Sequence, residues 1–182
     1  MTTKTVAEQA APARDISEFA LVSTAPSIGL LLVRVVAGLL FASHGTQKLF
    51  GWFGGVGWHT TADNFSATGY NPGVVFGTLA GVSELVGGVL LALGLFTPLA
   101  AAIIVGTMLN AINTTWAKGL LGGYELALVY AVLAAGFGFV GAGRFSLDAG
   151  RPWQRHGTVW GIGAVVLGVV AAVLTLIFKW AL

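Results

Sequence analysis

Two sets of polar residues stand out against an otherwise apolar chain. Arg34 lies inside the apolar run Ser27–Phe50, and Glu84 lies within the apolar stretch from Gly73 to Leu95. An arginine exposed to hydrocarbon costs at least about 2.5 kcal/mol, so Arg34 needs protein or water around it, and a partner. Glu84 is the carboxylate nearest in expected depth, and the two are expected to form a buried ion pair tethering the first two spans. Proton handling by Glu84 is the functional alternative. The second set is His44, Gln47, Lys48, Asn110, Asn113 and Glu125, which stand at the ends of three apolar segments and reach similar depth beneath an aromatic loop. Polar side chains converging under Trp and Phe suit a small polar head group whose apolar tail lies between helices, and a quinone has that shape. The plain alternative is a set of helix-end groups bonded to water or to one another.

The elements that must position these groups are membrane spans. Of 182 residues, 56% are hydrophobic and 9% charged, and the mean hydropathy is +0.86; a soluble chain carries about 25% charged residues. The 27 glycines suit close helix approach in lipid. Five spans are expected: 27–50, 73–95, 99–116, 124–140 and 158–178. On the first, Arg34, Gly38, Phe41, Gly45 and Lys48 fall in one stripe at roughly 100° per residue, with His44 at its edge. On the second, Gly77, Gly81, Glu84 and Gly88 share a small-residue face. Between them, residues 51–72 hold Trp52, Phe53, Trp58, Phe65 and Tyr70, an interfacial loop with a short helix from Thr60 or Thr61 to Ser66. Residues 1–26 read as a flexible tail with a short interfacial helix near 15–22, residues 27–148 as a four-helix membrane domain, and 149–182 as a basic loop and fifth span. A cleavable signal peptide is not expected, because the apolar run starts late and is broken by Arg34.

Charge placement gives an orientation. Arg14, Arg144, Arg151 and Arg155 fall on one side and Lys48, Lys118 and Lys179 on the other, which predicts the N-terminus inside and the C-terminus outside the cell membrane. The net charge of +2 is too scattered for a nucleic-acid patch, so the expected partner surface is the lipid bilayer. With no cysteine, thiolate nucleophiles, Cys-ligated zinc and iron–sulfur clusters are excluded. His44, His59 and His156 lack metal-ligand spacing, and no P-loop or GxSxG is present.

Three stretches carry a family resemblance: LLVRVVAGLLFASHGTQKLFGWFGG at 31–55, SELVGGVLLALGLFTPLAA at 83–101 and ELALVYAVLAAGFGFVGAGRFSLD at 125–148. Together they resemble the DoxX family of small membrane proteins. The resemblance implies an all-α four-helix membrane core and kinship with subunits of thiosulfate:quinone oxidoreductase. It also implies a possible soluble redox partner of the sulfurtransferase or superoxide dismutase type, in sulfur metabolism or oxidative stress. No catalytic residues transfer with it. The fifth span departs from the family pattern. Three roles follow as expectations: a subunit of a quinone-linked redox system, a membrane anchor for soluble redox enzymes, or a small-solute transporter.

Overall fold

A computed structural model describes residues 16–181, with side chains from Thr24 onward. It is all-helical: α1 (Ile16–Phe50), α2 (Gly57–Ala67), α3 (Gly73–Leu93), α4 (Thr97–Thr115), α5 (Glu125–Val140) and α6 (Thr158–Ala181). Five stretches, on α1 and α3 to α6, are long and apolar enough to cross a membrane. The protein is therefore a multi-pass membrane helix bundle. Residues 1–15 of the expected tail lie outside the described residues. The rest of that segment is not a tail, because α1 begins at Ile16 and runs unbroken through Pro26.

Glycines set the closest crossing. α1 and α3 run antiparallel, and a Cβ on Gly38 would stand 2.5 Å from the backbone nitrogen of Ala92. One on Gly81 would meet the Leu49 side chain at 2.8 Å, while Gly45 and Gly88 are pressed against the backbones of Leu85 and Ala42. Four glycines thus let the two backbones touch, as packing in lipid requires when no hydrophobic force drives helices together. α6 repeats the device, with Gly161, Ala164, Gly168 and Ala172 buried along one stripe; there a Cβ on Gly168 would lie 2.8 Å from the Ala102 carbonyl of α4. Phe41, Leu91, Ile104, Tyr130, Ala134 and Phe137 form the core where α1, α3, α4 and α5 meet.

The bundle has two unlike ends. At one, α2, which belongs to the connection between α1 and α3, packs against both helices. Trp58 Nε1 donates to Thr78 Oγ1 at 2.7 Å, and Thr61 Oγ1 donates to the Lys48 carbonyl at 3.1 Å. At the other end, Gly94 closes α3 at φ +62, with Leu95 N bonding to Leu90 O and Gly94 N to Leu91 O, the paired bonds of a Schellman stop. The tight turn into α4 lies against residues 143–148, with Leu147 N bonding to Leu93 O and Asp148 N to Gly94 O.

Candidate functional site

Arg34 is 2% exposed, and its guanidinium belongs to this second end. It donates to the carbonyls of Leu91 and Ala92, at the close of α3, and to the carbonyl of Phe145. Ala92 stands in the last turn of α3, where carbonyls lack an intrahelical partner, and Phe145 lies in the segment after α5. Nearby, Asp148 answers the start of α4. Its two carboxylate oxygens accept from Phe96 N and Thr97 N, each at 2.9 Å, and from Thr97 Oγ1 at 2.7 Å. Arg34 and Asp148 also interact electrostatically. One cation and one anion thereby hold α1, the α3–α4 turn and the segment after α5 as a single clamp.

The expected Arg34–Glu84 pair is therefore corrected. Glu84 bonds instead to Lys48, with Nζ to Oε2 at 2.6 Å. The α1–α3 register explains the change. With Gly38 against Ala92 and Gly45 against Leu85, Arg34 arrives at the Leu91–Gly94 end while Glu84 lies level with Gly45 and Lys48. That offset is about ten residues, or roughly 15 Å of helix, too far for even an arginine to reach.

Glu84 opens onto a cavity of about 390 Å³ between α3, α4 and α6. Its lining is mostly apolar, with Phe76, Leu79, Ala102, Ile103 and Ala171, and Lys48, Ser83, Glu84, Asn110 and Tyr70 add polar groups to it. Tyr70, 1% exposed, is turned inward as a roof between Phe65 and Phe76, with ring centroids 5.6 and 5.4 Å away. Its hydroxyl donates to Asn110 Oδ1 at 3.3 Å, and Asn110 Nδ2 donates to the Gly106 carbonyl at 3.1 Å. Thr107 and Thr175 give their hydroxyl protons to Ile103 O and Ala171 O, leaving acceptor lone pairs in the wall. The donors left for a bound acceptor are the Lys48 ammonium, the second amide proton of Asn110 and the hydroxyl of Ser83, which has no hydrogen-bond partner among the described residues.

Of the six residues expected to converge, the fold brings Lys48 and Asn110 to this cavity. His44 and Gln47 pair with each other, Nδ1–H to Oε1 at 3.0 Å, and Gln47 Nε2 donates to the Phe53 carbonyl. His44 faces the core, edge-on to Tyr130 at 6.4 Å, and both His44 and Tyr130 lie within electrostatic range of Glu84. Asn113 and Glu125 are exposed and line no part of the cavity. Both stand at a helix end, where a small difference in rotation separates a wall from an outer surface. Ser83, Tyr70 and the threonines carry no sequence signal beyond polarity on an apolar face, and only Thr107 and its neighbours on α4 are legible by spacing.

Comparison with known proteins fits this architecture. Residues 29–117 match the DoxX family. An uncharacterized protein of Haemophilus influenzae is 37% identical over 128 residues, 65% of this chain and 87% of its own. The chain belongs to the DoxX family. A second relative, named "Putative oxidoreductase CatD" in Bacillus subtilis, is 30% identical over 122 residues, 66% of this chain and 85% of that one. No solved structure matches. The DoxX match spans α1 to α4, and so contains Arg34, Lys48, Glu84 and Asn110. Asp148 of the clamp and the α6 wall of the cavity lie beyond it.

Proposed function

We propose that this DoxX protein is the membrane subunit of a quinone-linked redox system and that it binds quinone in the cavity between α3, α4 and α6. The observation that carries the reading is a mostly apolar cavity whose wall also holds hydrogen-bond donors. Its volume falls in the range of small-molecule sites, about 300–1,000 Å³. A quinone ring presents two carbonyl acceptors, which the Lys48 ammonium and the Ser83 hydroxyl match, and its tail matches the wall of Leu79, Ile103 and Ala171. Leu79, 49% exposed, gives that wall an edge towards lipid. Bound quinone supplies two-electron, two-proton carrier chemistry; the chain orients it, excludes bulk water and holds a proton at Glu84. Electrons come from a soluble redox partner. The name of the Bacillus subtilis relative is in keeping with this assignment.

In this reading the clamp end, rich in Arg144, Arg151 and Arg155, faces the cytoplasm and the α2 end faces outward across the cell membrane. The test is titration of the protein in lipid nanodiscs with decylubiquinone. Glu84→Gln and the cavity-filling Thr107→Trp are each expected to weaken binding at least about tenfold, roughly 1.4 kcal/mol. Affinity unchanged in both variants would sink the assignment.

A further inference from the structure

A second cavity, of about 370 Å³, lies on the α2 side of Lys48. It is lined by the polar side chains of Gln47, Thr61 and Asn64 together with Gly54, Gly55 and Val56, at the end of the bundle rather than within it. Among the described residues, only Lys48 and Phe65 border both this space and the apolar cavity. Lys48 is 29% exposed and its partner Glu84 only 7%, so the pair runs from the wetter side of the partition to the drier. The lysine carbonyl is fixed by Thr61, which leaves its flexible four-carbon stem as the moving part.

We infer that the Lys48–Glu84 pair is the proton entry to the membrane cavity, loaded from the polar pocket at the α2 end and from no other side. A proton passes from the Lys48 ammonium to the Glu84 carboxylate across the 2.6 Å contact, leaving amine and carboxylic acid. Glu84 then presents that proton to the cavity, and Lys48 regains one from water in the outer pocket. One proton moves per cycle and no electron is involved. The groups facing the pair are His44 on α1 and Tyr130 on α5, both within electrostatic range of Glu84; Tyr70 and Asn110 bond to each other across the same cavity. Phe65 closes the rest of the partition against bulk water. The purpose of the proton rests on the proposed quinone chemistry; the path itself does not.

The chain has no cysteine, so an introduced one is the sole reactive thiol. Single variants Asn64→Cys and Ser83→Cys, in sealed vesicles without quinone, are treated with a membrane-impermeant cationic methanethiosulfonate added to one side. Asn64→Cys is expected to react freely from the α2 side alone. Ser83→Cys is expected to react slowly from that same side, and at least about tenfold faster once Lys48→Met opens the partition. Lys48→Arg should keep it slow. If Lys48→Met leaves too little folded protein, Lys48→Met with Glu84→Gln, which strands no charge, carries the same expectation. In parallel, the infrared carboxyl band abolished by Glu84→Gln should follow a pH pulse on the α2 side and not one on the clamp side. Labelling of Ser83→Cys from the clamp side, a rate unmoved by Lys48→Met and its double variant, or a carboxyl band that follows the clamp-side pulse would overturn the path. Because quinone is absent, these results fail or hold separately from the decylubiquinone titration.

Discussion

Each end of the bundle sets a cation near a buried anion, and the two ends use them differently. At the clamp end, Arg34 and Asp148 spend their bonds on backbone groups of the α3–α4 turn and of the segment after α5. At the α2 end, the side chains of Lys48 and Glu84 bond to each other and to no other group among the described residues, and the pair borders open space on both sides. A charge committed to orphaned helix-end groups has no freedom to exchange protons or ligands. A charge paired with one flexible neighbour beside a cavity has both. The contrast predicts that clamp variants lose the fold, whereas cavity variants lose the ligand first.

The largest effect is expected at the clamp. Arg34→Met leaves the Ala92 and Phe145 carbonyls without their charged donor, and Asp148→Ala strands the Phe96 and Thr97 amides. A hydrogen bond to a charged group is worth about 1.5–3 kcal/mol and each variant loses more than one, so thermal denaturation in detergent should show either variant unfolding well below the parent. A parent-like midpoint for both would erase the distinction between the ends. Next comes the α1–α3 crossing. Gly38→Val drives two methyl groups into the Ala92 backbone and should destabilise by about 1–3 kcal/mol or more by the same assay, since backbone cannot move aside as a side chain does.

Smaller effects sharpen the α2 end. Lys179 of α6 lies over the Tyr70 ring, with Nζ 4.1 Å from the centroid. Lys179→Ala removes a cation–π contact of about 0.5–1 kcal/mol, and should raise the decylubiquinone off-rate while barely shifting the denaturation midpoint. An unchanged off-rate would mean that the Tyr70 roof does not depend on α6. The smallest changes are expected for Asn113→Ala and Glu125→Gln, whose side chains are exposed outside the cavity. Both should remain within about 0.5 kcal/mol of the parent in stability and should titrate like it.

Much of this was readable in the residues. The positions of the spans follow from hydropathy and the expected boundaries fall within a few residues of the helices, apart from the start of α1. The stripe of Arg34, Gly38, Phe41, Gly45 and Lys48 faces α3 as its spacing requires, and Arg34 and Phe41 are its most buried side chains. The resemblance at Leu93–Thr97 and at Gly143–Asp148 acquires a physical meaning in the clamp, where both stretches bond to one another. Asn113 and Glu125 show where periodicity fails. At the end of a helix, direction is set by the neighbouring turn, and here residues 116–124 form a 3-10 turn and a π-turn between α4 and α5.

The sequence alone determined that five apolar helices cross a membrane and that Arg34 and Glu84 each need a partner, because hydrocarbon does not solvate charge. It could not assign the partners. Helical periodicity fixes which way a side chain points, not how far one helix slides along another. That slide was decided by Gly38, Gly45, Gly81 and Gly88 meeting across α1 and α3, where contact between two backbones admits one register. The register carried Arg34 to the α3–α4 turn and left Glu84 to Lys48, so a supposed tether between helices became one wall of a cavity.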